Sequence, residues 1–194
     1  MNNSTTSIIF VVQNNKLMFK KLNLFSKTEM KVLIFISAKD GELFERQIAK
    51  ESGVSVGSAN TILKVFAKIG FLKQTKKGKM LFYRRNDDNP LLRQFKVFTT
   101  INNLMPIVEK IAPFSVRIIL FGSCAEGRNG ENSDIDLFVL TREQERVRTI
   151  VSNKSHIHTI LLDSAEYVHL EKNDKPLYDR INSGIELYAG EENG

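Results

Sequence analysis

A single cysteine, Cys124, is all the thiol chemistry this sequence has. It excludes an internal disulfide framework, so a reducing, cytoplasmic setting is expected. No apolar run approaches the roughly 20 residues that a membrane-spanning helix needs, and no membrane partner is expected. The opening residues, MNNSTTSIIFVV, lack the basic start and small-residue cleavage site of a signal peptide. Histidine is scarce as well. There are three, and His156 and His158, two positions apart, lack the further ligands of a zinc site. What the chain has in excess is positive charge, and it is unevenly spread. Residues 1–96 carry 18 Lys+Arg against 7 Asp+Glu, whereas residues 97–194 carry 10 against 15. A basic half joined to an acidic half argues for two domains, the first with a polyanionic partner.

Residues 1–25 read either as a hairpin around Gln13-Asn14-Asn15 or as an arm that orders only in a dimer. Ser26-x-x-Glu29 is a capping box that opens a helix, with Met30, Leu33, Ile34 and Ser37 on one stripe. Phe44–Ser52 reads as a second helix with Phe44, Ile48 and Ala49 inward, stopped by Gly53. A third, about Ser55 to Ile69, buries Ala59, Ile62, Leu63 and Phe66 and ends at Gly70. Two short β-rich runs, Phe71–Thr75 and Met80–Arg85, follow around a basic glycine turn, Lys76-Lys77-Gly78-Lys79. Helix, glycine turn, helix and basic hairpin over Ser26–Arg85 resemble a winged helix-turn-helix domain. That resemblance implies a third helix in the DNA major groove and a wing on the backbone or in the minor groove. The helix face for DNA would be Ser55, Ser58, Asn60, Thr61 and Lys64. Lys76, Lys77 and Lys79, with Lys73, Arg84 and Arg85, would give the wing its charge.

Asn86-Asp87-Asp88-Asn89-Pro90 is a turn cluster and marks a domain edge. A helix from Leu91 to about Leu104 carries Leu91, Leu92, Phe95, Phe98 and Ile101. It would either seal two domains together or form a homodimer interface. Met105-Pro106 is expected to interrupt it. Further on, Thr141 to about Lys154 reads as helical, Ile157–Leu162 as a strand, and a last helix is packed by Leu177, Ile181, Ile185, Leu187 and Tyr188.

The most informative stretch is Ile118–Leu140, IILFGSCAEGRNGENSDIDLFVL. A short β-rich run ends at Gly122-Ser123, whose backbone N–H groups suit a phosphate. Eleven positions after Ser123 stands Asp134, followed by Ile135 and Asp136. If the segment is extended, Asp134 and Asp136 project to one face. Two carboxylates side by side repel unless a cation or proton lies between them, and oxygen-rich pairs suit Mg²⁺ together with substrate phosphates. Cys124, inside the loop and without a base partner, reads as a small filler.

Gly122-Ser123-Cys124-Ala125-Glu126-Gly127 followed by Ser133-Asp134-Ile135-Asp136-Leu137 resembles the signature of the DNA polymerase β-type nucleotidyltransferase superfamily. Its minimal nucleotidyltransferase group is the nearest match, over roughly residues 111–190. The resemblance implies that Gly122 and Ser123 bind a nucleoside triphosphate and that Asp134 and Asp136 hold Mg²⁺ or Mn²⁺ and are catalytic. It also implies a third carboxylate from a later strand. Ile157–Leu162 offers none before Asp163; His158 stands at the aligned position, and imidazole is a poor Mg²⁺ ligand. Glu126 stands where many relatives carry a basic residue facing the phosphates.

The expected fold is α/β (α+β): an arm over 1–25, a winged helix-turn-helix domain over 26–89, a linker helix over 90–112, and a small mixed-sheet nucleotidyltransferase domain over 113–190. The favoured function is that of a DNA-binding, metal-dependent nucleotidyltransferase. The alternative is a weak or inactive transcription regulator or antitoxin-like protein, whose C-terminal domain binds a nucleotide or a helical partner protein. Affinity for double-stranded DNA should fall steeply with salt, because each neutralised phosphate releases counterions. Fluorescence anisotropy titrations at several salt concentrations test this. Changing Lys76, Lys77 and Lys79 together to Ala should flatten the slope, and an unchanged slope would exclude the wing as the phosphate contact.

Overall fold

The computed structural model describes residues 25–190. The proposed arm falls almost wholly outside them. Ser26 caps helix α1 (Lys27–Ala38) as the sequence predicts: its Oγ accepts from Glu29 N at 3.2 Å, and Glu29 Oε2 accepts from Ser26 N at 2.7 Å. The buried face is Val32, Leu33, Ile36 and Ser37, and Ile34 is exposed. The stripe is thus rotated from the predicted one, because the rest of the domain packs against the Val32–Ile36 side.

Strand β1 (Leu43–Phe44) precedes helix α2 (Glu45–Ser52). Phe44 therefore lies in a strand and not in the predicted helix. It pairs with Phe82, the two rings meeting edge to face. Helix α3 (Val56–Lys68) is capped by Ser55 and buries Ala59, Ile62, Leu63 and Phe66, the four residues its periodicity picks out. Strands β2 (Leu72–Lys77) and β3 (Met80–Arg85) form the wing, and β1 joins β3 in a three-stranded antiparallel sheet of order β1-β3-β2. One apolar core holds α1, α2 and α3 to the base of this sheet. This is a winged helix-turn-helix domain.

Helix α4 (Pro90–Ile111) follows, its first turn capped by Asn89 Oδ1. It runs unbroken through Pro106, contrary to the expected interruption. Proline leaves the Asn102 carbonyl without its helical donor, but both residues lie on the exposed side of the helix, where solvent can replace that donor. Leu92 and Phe95 pack into the winged-helix core, while Leu104, Val108 and Ile111 pack into the second domain. The helix seals the two domains, and of its large apolar side chains Leu91 stays exposed.

The second domain is a mixed four-stranded sheet of order β6-β5-β4-β7. Its strands are β4 (Arg117–Phe121), β5 (Ile135–Leu140), β6 (Ile157–Leu162) and β7 (Ile185–Ala189). β5 and β6 are parallel, and the other pairs are antiparallel. Helix α5 (Gly122–Ala125) is a single turn after β4, and α6 (Gln144–Val151) crosses from β5 to β6 over a shorter span than predicted. Helices α7 (Ser164–Asn173) and α8 (Lys175–Asn182) precede β7. One sheet face, with Ile118, Leu120, Leu137, Val139 and Leu161, packs on α4 and α6. The opposite face, with Ile119, Phe121, Phe138 and Leu140, packs on α7 and α8. Ile185, Leu187 and Tyr188 are therefore in a strand and not in the predicted last helix. Gly184 lets the chain turn there, against Leu120 O and Ile119. Among the described residues no helix is long and apolar enough to cross a membrane.

Phe66 is fully buried and touches Phe25 and Phe71. Phe66→Ala should therefore destabilise the winged-helix core by about 3–5 kcal/mol, lost transfer energy plus cavity, as measured by urea unfolding. A loss below about 1 kcal/mol would contradict this packing.

Candidate functional site

The site is built where β4 ends. β4 and β5 pair antiparallel with Phe121 opposite Asp136, and β5 and β6 pair in parallel with Asp136 beside His158. Register alone therefore lines up the end of β4, a carboxylate and an imidazole across three strands. Gly122 leaves the strand at φ +70°, and a Cβ there would overlap the Asp136 carboxylate. Only glycine lets the turn and the carboxylate approach so closely. Gly122 and Ser123 thus lie directly against Asp136. Asp134 falls just before β5 and not within it, since pairing starts at Ile135. Its carbonyl accepts from Cys124 Sγ at 3.5 Å, which fixes its backbone beside Ser123. Its side chain is exposed, and that of Asp136 is about one-quarter exposed.

Cys124 is buried under the turn. Burial, then the Asp136 carboxylate and more weakly Asp134, push its thiol above the ordinary range, against a hydrogen bond from the Ser123 side chain. It is a protonated filler on which Ser123, Asp134 and Asp136 all act. His158 Nδ1 lies 3.3 Å from Asp136 Oδ1. No group of three or more His, Cys, Asp or Glu side chains positioned to hold a metal occurs among the described residues. Asp136 with Asp134 fits a cation that takes one or two carboxylates and completes its shell from substrate phosphate and water. Glu126 pairs with Arg128 at 3.0 Å, so its charge is locally offset.

The loop from Glu126 to Ser133 joins these two halves of the site and rests on the other domain. Arg128 N donates to Ser123 O at 2.9 Å at its start, and Gly130 N donates to Ser133 Oγ at 2.7 Å near its end. In between, Gly127, at φ +67°, lies so close to Arg93 O that a Cβ would overlap it.

The nucleic-acid candidates lie on α3 and the wing. Thr61 and Lys64 are exposed on α3, and Ser55 caps it, with Ser55 Oγ accepting from Ser58 N at 3.1 Å and donating to Ser58 Oγ at 2.8 Å. Asn60 is half-buried and its amide donates to Glu45, so it is not free. Lys77 pairs with Glu42 in an exposed bridge, which water and salt screen. Lys64, Lys76 and Lys79 have no ion pair among the described residues. Arg85 is buried and adds no free charge to the wing, whereas Lys73 stays exposed in a solvated bridge to Asp88 at 2.6 Å. Sequence reasoning missed Arg46. It is exposed and, with Lys79, Asn60 and Met80, lines a groove of about 550 Å³ between α2, α3 and the wing tip. Its place about two helical turns ahead of Gly53, outside both the basic hairpin and α3, gave no local signal.

Residues 103–193 match the family model described as Polymerase beta, Nucleotidyltransferase. The class is thus a winged-helix protein with an appended nucleotidyltransferase domain. Its C-terminal domain belongs to the polymerase β nucleotidyltransferase family. No curated protein sequence matches. Among solved structures, a Sulfolobus solfataricus protein provisionally described as a nucleotidyltransferase is 23% identical, covering 52% of this chain and 89% of its own, with a TM-score of 0.36. A toxin–antitoxin with AMP-PNP is 23% identical over 47% of this chain and 75% of its own, at 0.32. The adhesin competence repressor AdcR of Streptococcus pyogenes is 15% identical over 58% and 85%, at 0.38.

His158→Asp would set a carboxylate beside Asp136 in place of the imidazole. Charge count tunes affinity for hard cations, so Mn²⁺ should bind about tenfold more tightly, read by EPR titration. Unchanged or weaker binding would show that the His158 position does not face the cation.

Proposed function

We propose that this protein is a metal-dependent nucleotidyltransferase carried by a DNA-binding domain. The observation that carries the reading is the contact between the Gly122-Ser123 turn and Asp136, with Asp134 held alongside through Cys124. Gly122 and Ser123 would present N–H groups and a hydroxyl to the β- and γ-phosphates. Asp134 and Asp136, as the catalytic carboxylates, would hold Mg²⁺ or Mn²⁺. The cation, when bound, supplies positive charge at the transferring phosphoryl group and lowers the pKa of an attacking hydroxyl. His158, beside Asp136, would accept a proton or steady that carboxylate, but it brings no negative charge for a second cation. The reaction would therefore be slower than with three carboxylates.

The winged helix would carry the chain to double-stranded DNA through Ser55, Ser58, Asn60, Thr61, Lys64, Lys76, Lys77 and Lys79. A second copy, for two half-sites, would meet it at exposed Leu91 on the linker helix. The missing third carboxylate favours a second reading: a transcription regulator or antitoxin-like protein in which the same site binds nucleotide without transfer, or a helical partner protein covers it.

Label transfer separates the two. The protein is incubated with each labelled NTP and Mg²⁺ or Mn²⁺, alone and with cell lysate. Transfer that disappears in the Asp134→Asn plus Asp136→Asn variant supports catalysis. Calorimetric NTP binding without transfer supports the sensor reading, and neither binding nor transfer contradicts both nucleotide readings.

A further inference from the structure

Lysine is rarely fully buried, because an ammonium out of water costs several kcal/mol unless paired. Lys96 on α4 is 2% exposed. Its Nζ donates to Asn129 O at 2.6 Å, in the loop between Ser123 and Asp134, and lies 3.5 Å from Asp87 Oδ1 at the base of the wing. Arg85, also buried, shares that Asp87 oxygen at 2.8 Å and reaches Asp40 at 2.6 Å. Asp40 Oδ2 in turn accepts from Glu131 N, in the same loop, at 2.8 Å, and Lys39 pairs with Glu131. Two buried cations and two carboxylates thus clasp the loop that joins both halves of the nucleotide site to the wing strand and the α1–β1 turn. Asn129 Oδ1 is buried without a protein partner, so the chain itself does not fully satisfy the clasp.

We propose that this clasp makes Lys96 a positioning residue, and that it links occupancy of the nucleotide site to occupancy of the winged helix by DNA. The inference rests on the function proposed above. A metal–triphosphate needs Ser123 and Asp134, at the two ends of the loop, held in one arrangement. DNA needs the β3 and α1–β1 framework to which the loop is fastened. Each ligand selects the fastened state, so each should tighten the other, by the same factor.

The test uses the full chain, a mixed-sequence 30-base-pair duplex at low salt, and each of the four Mg²⁺–NTPs in turn. Saturating duplex should tighten NTP binding at least about fivefold, and saturating NTP should tighten duplex binding equally. Lys96→Met should bring both factors within about twofold of unity, and Lys96→Arg should restore them in part. Asp40→Asn, at a more exposed position, repeats the test where Lys96→Met fails to fold. If both ligands bind and each ignores the other, the linkage is wrong while the proposed function stands. If NTP or duplex fails to bind at all, both fall together.

Discussion

The pairing of β4 with β5, in the register that places Phe121 opposite Asp136, governs the rest of the nucleotidyltransferase domain. A slip of one residue would turn Asp136 onto the other face of the sheet and put an apolar neighbour against the Gly122 turn. The register is secured on both faces. Ile118, Leu120, Leu137 and Val139 are fully buried under α4 and α6, and Ile119, Phe121 and Phe138 are buried under α7 and α8. With both faces filled, no slip escapes a large apolar penalty, on the order of 25 cal/mol for each Å² exposed. The parallel partner β6 then fixes His158 beside Asp136 with no further choice.

Charge is arranged with the same economy. The open end of the sheet holds Asp134, Asp136 and His158 over a buried, protonated Cys124, while Arg128 offsets Glu126. The cations at the domain junction, Arg85 and Lys96, are buried instead of free. Burial, then the neighbouring Arg85, lowers the Lys96 pKa, and Asp87 and Asp40 oppose that shift. Removing a carboxylate from such a network leaves a buried cation unpaired, which costs more than the pair contributes. The loop between Ser123 and Asp134 is thereby fastened through Asn129 O and Glu131 N to side chains of α4 and the α1–β1 turn.

What could be read from the sequence was whatever is encoded locally. The Ser26 capping box, the four buried positions of α3, the basic hairpin and the Gly-Ser…Asp-x-Asp spacing each lie within one element or two adjacent ones. The position of His158 could also be read, because it follows from strand alternation and one alignment. The failures share a cause. Pro106 breaks helices by rule, but here the orphaned carbonyl faces water. Ile185–Ala189 carries enough apolar residues to suit helix or strand, and only the free edge of β4 decides between them. Arg85 belongs to a basic hairpin by sequence, yet partners at Asp40 and Asp87, distant or across a turn, take it out of the wing's surface. Lys96 gives no local signal of burial, since its acceptor, Asn129, lies 33 positions away.

The central claim is that Asp134, Asp136 and the Gly122-Ser123 turn surround one divalent cation and a triphosphate. The most direct measurement is an anomalous difference map from crystals of the full chain grown with Mn²⁺ and a non-hydrolysable NTP. The geometry requires a Mn²⁺ peak at ligand distance, about 2.0–2.2 Å, from carboxylate oxygens of Asp134 and Asp136, with phosphate density against Ser123. A Mn²⁺ peak elsewhere, or a triphosphate seated away from the 122–123 turn, would contradict it.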